Sequence, residues 1–162
     1  KWQLGTIQVD YQLPERFQLD YITENNTKKT PVVIHRAPFG SLERFVALLT
    51  EHCYGNFPFW LAPIQMTILS ISDKFNSYSD KIFKSLSKLN LRVIKDIRSE
   101  KISKKIRDAE LKKIPYMIII GENELKSNKI SLRKHTEGDL GKMTLDDLIS
   151  ILKKEKNVII NN

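Results

Sequence analysis

At 162 residues and 18.9 kDa, with 41% apolar and 28% charged residues, the chain is long enough for one ordinary domain, or a small domain with part of another, and too apolar for wholesale disorder. Six glycines and six prolines exclude collagen-like or low-complexity character, and no apolar run is long enough to cross a bilayer, so no membrane partner is expected. The net charge of +8 is one-sided: residues 1–58 hold 6 Lys+Arg and 6 Asp+Glu, whereas residues 59–162 hold 21 and 13. Such asymmetry points to a polyanion, nucleic acid before anionic membrane, or reflects a Lys- and Ile-rich composition. The single cysteine, Cys53, excludes an internal disulfide framework. The opening KWQLGTIQVD has no apolar signal-like run, so a reducing, cytoplasmic setting is expected. A chain that starts at Lys1 is expected to be a fragment or a processed product.

In chain order, Trp2–Leu13 alternates and reads as a strand, Phe17–Ile22 as a second, and Pro31–Ile34 starts a third after the polar turn Asn25–Lys29. Three strands with tight connections predict an antiparallel meander. After Gly40, Leu42, Phe45, Val46 and Leu49 follow helical spacing, with Ser41 placed to cap. GNFPFWLAP, at the charge boundary, is the candidate joint between a first part, 1–58, and a second, 59–162. The second part alternates: strand 65–72, helix 73–90, strand 92–97, helix 102–114 and the apolar strand Tyr116–Gly121. Glu124–Leu125 and Lys129–Lys134 read as a hairpin, and Thr144 caps a last helix through Leu152. The predicted class is α/β, with a mixed sheet of about five strands and three helices in the second part.

Several residues could carry chemistry. Thr6 and Gln8, two apart on a strand, face one way and line either a polar pocket or an exposed edge. His35, at a strand end, is a metal ligand or a structural histidine. Arg44 points away from its helix's apolar stripe beside a helix N-terminus, which suits a phosphate or simply solvent. Lys101, Lys104 and Lys105 are expected on the polar side of the 102–114 helix, with Arg107 at its flank and Arg133 and Lys134 on the later hairpin. They form either one basic surface for RNA phosphates or solvated faces.

The string PVVIHRAPFGSLERFVALLTEHCYGNFPFWLAPIQ resembles the third conserved motif of class II aminoacyl-tRNA synthetases running into an anticodon-binding domain. HRA-x-x-GS-x-ER, WQLGTIQVDYQLPERFQLDY, KIRDAELKKIPYMIIIG and DLGKMTLDDLI are similar to the threonyl-tRNA synthetase family in particular. The resemblance implies that 1–58 is the end of a catalytic domain, with its last antiparallel strands and motif helix, and that 59–162 is an anticodon-binding domain. It implies a ligase that activates threonine with Mg-ATP and transfers it to tRNA(Thr), as a homodimer in the full enzyme. Arg44 is then the catalytic ATP-phosphate arginine; Gln3, Thr6, Gln8 and Ser41 join it in the ATP/threonine site; His35 is one of three zinc ligands. Asn26, Arg107, Glu124 and Arg133 match anticodon contacts, and Ser99 stands where the family commonly has Asn. The first two class II motifs and the other zinc ligands are not among the 162 residues, so this chain alone is expected to be inactive. The alternative is a stand-alone, non-catalytic tRNA-binding or regulatory module.

Overall fold

A computed structural model describes residues 2–157, which divide into two compact units between His52 and Cys53. Lys1 and residues 158–162, the ends of the spans expected above, lie outside the described residues.

The first unit runs β1 (Thr6–Asp10), α1 (Gln12–Arg16), β2 (Tyr21–Ile22), β3 (Lys28–Lys29), β4 (Val33–Ala37) and α2 (Leu42–His52). It forms two separate antiparallel ribbons, β1 with β4 and β2 with β3, in place of the expected three-stranded meander. The expected strand 2–13 ends at Asp10 for a local reason. Asp10 Oδ1 accepts the backbone N–H groups of Gln12 at 2.9 Å and Leu13 at 3.0 Å, turning the chain into α1. Pro14 fits there because first-turn N–H groups have no helical partner to lose. Gln18, at φ 52°, then breaks the expected strand 17–22, leaving two residues of it in β2. The cap expected at Ser41 forms: its Oγ accepts the Arg44 N–H at 3.1 Å.

The second unit runs β5 (Met66–Ser70), a single 3-10 turn (Asp73–Phe75), α3 (Asn76–Ser87), β6 (Val93–Asp96), α4 (Ile102–Leu111), β7 (Tyr116–Ile120), α5 (Glu122–Ser127), β8 (Ile130–Lys134), β9 (Gly138–Met143) and α6 (Leu145–Asn157). The sheet order is β6-β5-β7-β8-β9; β5 lies parallel to β6 and β7, and β8 antiparallel to β7 and β9. This is the expected five-stranded mixed sheet. It carries four helices instead of three, because Glu124–Leu125 is helical and the hairpin partner of β8 is β9. Glu124 itself nucleates α5, its Oε2 accepting the Gly121 N–H at 3.0 Å, and Asn128 at φ 51° ends it. Thr144 Oγ1 caps α6 by accepting the Asp147 N–H at 3.2 Å.

One sheet face packs Met66, Ile68, Tyr116, Ile118, Ile120, Ile130 and Leu132 against Tyr78, Ile82 and Leu86 of α3 and Leu148 and Leu152 of α6. The other packs Leu69 and Met117 under Ala109 of α4, with Ile102 and Ile106 beside it. β8 lies beyond this second cluster, and on that side Ser131 and Arg133 keep partial exposure.

Candidate functional site

In the first unit, the β1/β4 register sets Gln8 opposite His35 and Thr6 opposite Ala37. Cross-strand partners share a face, so Thr6, Gln8 and His35 stand together on one side of the ribbon, with Asp10 two residues further along. His35 Nε2 lies 3.3 Å from Asp10 Oδ2. The Leu13 backbone N–H, with help from Gln12 and His35, holds the Asp10 carboxyl below its ordinary range. Ile7, Val9 and Ile34 occupy the opposite face and are exposed.

Arg44 sits in the first turn of α2, its guanidinium carbon 5.8 Å from the Trp2 ring centroid. The helix N-terminus and the arginine offer an anion both N–H donors and positive charge. Gly40 makes the turn into this helix at φ +66°, and a Cβ there would meet the Leu4 carbonyl oxygen at 3.4 Å. Gln3 is exposed and outside any strand, and Asn26 lies in the β2–β3 turn at φ 55°. Among the described residues, no group of three His, Cys, Asp or Glu side chains could hold a metal ion. His35 with Asp10 alone does not make a zinc site, for which three protein ligands are the usual minimum.

In the second unit, three of the four expected anticodon residues surround the side of the sheet next to α4. Glu124 is buried: Oε2 takes the Gly121 N–H, while Oε1 accepts Ser131 Oγ at 2.9 Å and lies 3.3 Å from Lys142 Nζ. Burial pushes its carboxyl up, but these hydrogen bonds outweigh burial and leave it below its ordinary value. Arg133, two residues from Ser131 and on the same face, donates from Nε to Glu110 Oε1 at 3.3 Å. Arg107 is exposed one helical turn before Glu110 on α4.

Ser99 belongs to a different place, the exposed turn after β6. It lines a cleft of about 380 Å³ with Ser72, Asp73, Arg98 and Lys101. Beside it, Arg98 bridges Asp96 and Asp108 at 2.6 and 2.8 Å, which lowers the Asp96 carboxyl.

Lys105 departs from its expected place on the polar side. It is buried, donating to the carbonyls of Ser70 at 2.9 Å and Asp96 at 3.2 Å, so it ties the ends of two neighbouring strands and faces no solvent. The helical period that put Lys101 and Lys104 outside places position 105 on the inner side with Ile102 and Ala109. A lysine there reads as polar only by its residue type. Lys104 is exposed and pairs with Glu100 at 2.6 Å. Glu110, Ser131 and Lys142 were not singled out from the sequence; their only signal there is proximity to residues that were.

Residues 63–155 match the family described as "Anticodon binding domain", and residues 1–53 match "tRNA synthetase class II core domain (G, H, P, S and T)". The chain belongs to the anticodon-binding-domain family, here joined to the end of a class II synthetase core. In sequence it is similar to threonine–tRNA ligases. It is 53% identical to the threonine–tRNA ligase of Porphyromonas gingivalis over 99% of this chain and 25% of that one. It is 56% identical to that of Cytophaga hutchinsonii over 96% and 24%. The crystal structure of the RNA binding domain of threonyl-tRNA synthetase from Cryptosporidium parvum superimposes with a TM-score of 0.86 at 40% identity, covering 95% of this chain and 39% of that one. The chain thus spans about a quarter of the length of the curated relatives it matches. Because the match runs through the core residues as well, the reading as a stand-alone RNA-binding module is set aside.

Proposed function

We propose that the chain supplies part of the ATP/threonine site and the anticodon-reading surface of a threonine–tRNA ligase, which activates threonine with Mg-ATP and transfers it to tRNA(Thr). The division into catalytic residues 1–58 and anticodon-binding residues 59–162 is part of this proposal, as are a homodimer and a cytoplasmic setting for the full enzyme. Arg44 binds ATP phosphate at the α2 N-terminus beside Ser41, with Gln3 near the nucleotide. Thr6 and Gln8 line the pocket on the His35 side of the ribbon. His35 is one zinc ligand of the full enzyme, and the described residues do not complete that site. Asn26, Ser99, Arg107, Glu124 and Arg133 contact the anticodon stem-loop. Glu124 is best suited to an indirect part, since its oxygens are already engaged by Gly121, Ser131 and Lys142.

The observation that carries the reading is the partly exposed stretch of the α4 side of the sheet where Arg133 pairs with Glu110 of α4, one helical turn from the exposed Arg107, and where Ser131 two residues away joins Glu124 and Lys142, in a region that carries all of the chain's net charge. The expected result is that the 162-residue chain binds a tRNA(Thr) anticodon stem-loop with clear salt dependence. Arg107→Ala or Arg133→Ala costs about 1–3 kcal/mol on the cognate loop and much less on a loop with altered anticodon bases. Equal losses on both loops reduce these arginines to phosphate contacts, and no binding at low salt removes the reading. The chain alone is expected to give no threonine-dependent pyrophosphate exchange; exchange above that of a heat-killed sample shows a more complete site.

A further inference from the structure

We propose that Glu110 is a positioning residue for anticodon reading. Braced by His135 and Asn56, its carboxylate holds the Arg133 side chain on the α4 side of β8 before RNA arrives. The inference rests on the reading of Arg133 given above and adds what orients it.

Four side chains from four parts of the second unit form one line. Arg133 on β8 donates from Nε to Glu110 Oε1 at 3.3 Å. Glu110 Oε2 meets Nδ1 of His135, which follows β8. His135 Nε2 lies 3.0 Å from Asn56 Oδ1, in the segment that precedes β5. The His135 backbone is fixed as well, its N–H donating to the Pro115 carbonyl at 2.9 Å. Both Glu110 oxygens are therefore engaged, and the carboxylate cannot swing without breaking one contact.

Exposure falls from Arg133 to His135. The Arg133 side chain is 34% exposed, Glu110 27% and His135 17%. Glu110 and His135 in the middle of the line are more covered than its two ends, Arg133 and the exposed Asn56, and the arginine end is open to a ligand. The contact uses Nε and leaves the two terminal guanidinium nitrogens to meet acceptors on a base edge. An arginine otherwise loses substantial side-chain freedom on binding, and holding it beforehand removes part of that loss. A surface ion pair of this kind contributes little to folding, so its effect belongs to recognition.

The test uses the whole 162-residue chain, the tRNA(Thr) anticodon stem-loop and the same loop with altered anticodon bases. Glu110→Ala is expected to weaken the cognate loop about 3- to 10-fold and the altered loop by about 2-fold or less, so that discrimination falls. In an Arg133→Ala background, Glu110→Ala should have no further effect. Glu110→Gln, which keeps an acceptor for Nε, should restore most of the discrimination, and the thermal midpoint should barely move. In the RNA-free chain, the Arg133 Nε–H resonance should shift and broaden in Glu110→Ala and, less strongly, in His135→Ala. Equal weakening of both loops, full additivity with Arg133→Ala, or an unmoved Nε–H resonance overturns the proposal. If the unmodified chain does not discriminate between the loops, or Arg133→Ala leaves discrimination intact, the anticodon reading itself fails and this inference falls with it. If discrimination depends on Arg133 and not on Glu110, only the positioning role is lost.

Discussion

The two units use similar apolar residues to opposite ends. In the second, the apolar side chains of alternate strand positions meet helices on both sheet faces, and Met66, Met117, Ile118, Ile120, Ile130, Leu132 and Leu148 are fully buried. In the first, Pro14 is the one buried residue among those described, while Ile7, Ile34 and Leu42 are 65–70% exposed. Two separate two-stranded ribbons, a one-turn helix and one longer amphipathic helix leave much of their apolar surface uncovered, and an isolated ribbon is marginal in water. The second unit is a domain in the physical sense. The first has the shape of a site without the packing to hold it.

Cutting the chain is the strongest way to break that comparison. Residues 53–162 alone should unfold cooperatively in urea, followed by circular dichroism, with a transition close to that of the full chain. Residues 1–52 alone should show none. A cooperative transition in the shorter piece would mean that its exposed apolar faces find cover within themselves.

Single truncations sharpen it. Leu132→Ala, in the buried cluster under α3 and α6, should cost about 2–5 kcal/mol. Ile7→Ala, on the open ribbon face, should stay within about 0.5 kcal/mol. The two urea midpoints in the full chain measure the difference directly, and similar losses at both sites would contradict it.

The contrast also explains what could be read from the sequence. Of the second unit's strands, β5 and β7 announce themselves because burial on both faces favours mostly apolar runs, as in Tyr116–Ile120, whereas the largely exposed β9, GDLGKM, carries no such run and was not expected. The helices α3, α4 and α6 keep a clear period for the same reason. In the first unit no core enforces a period, so local hydrogen bonds decide: Asp10 ends β1, and Gln18 at positive φ shortens β2. Glu124–Leu125 misled because helix α5 has only six residues, too few to show a period, and is set by the Glu124 cap. Of the candidate sites, the adjacency of Thr6 and Gln8 follows from strand alternation. Their meeting with His35 needed the β1/β4 register, and the roles of these residues rested on family resemblance alone. Lys105 was misplaced because a buried lysine differs from an exposed one only in its neighbours, here two carbonyls 26 residues apart in sequence, on Ser70 and Asp96.

That lysine gives the next test. Lys105→Met keeps the packed stem and removes the ammonium, leaving the Ser70 and Asp96 carbonyls without this donor. The expected loss is about 1–3 kcal/mol of stability, with the salt dependence of stem-loop binding unchanged. Lys104→Ala should do the reverse: little change in stability, because its pair with Glu100 is exposed, and a salt slope flatter by about one unit if it contacts a phosphate. A flatter slope in Lys105→Met would put that ammonium in solvent, against the geometry.

The smallest effect should come from acid, and it should be confined to the second unit. Despite burial, Glu124 has its carboxyl held below the ordinary value of 4.5 by Ser131, Lys142 and the Gly121 N–H. A carboxyl depressed in the folded state binds its proton more readily when unfolded, so it adds stability above the ordinary value. That stability drains away as pH falls through the lower, folded value. The full chain should therefore lose stability between about pH 5 and pH 3. Glu124→Gln should be less stable at neutral pH by about 1–2 kcal/mol, because it weakens the cap and the tie to β8, and it should lose less on acidification. Asp10 in the first unit is also depressed, but it is held by its own local turn. Asp10→Asn should leave the acid limb of the urea midpoint unchanged while altering only the start of α1. If Asp10→Asn flattens the acid limb as much as Glu124→Gln does, the first unit contributes to cooperative folding, and the division between a packed domain and an uncovered site has to be redrawn.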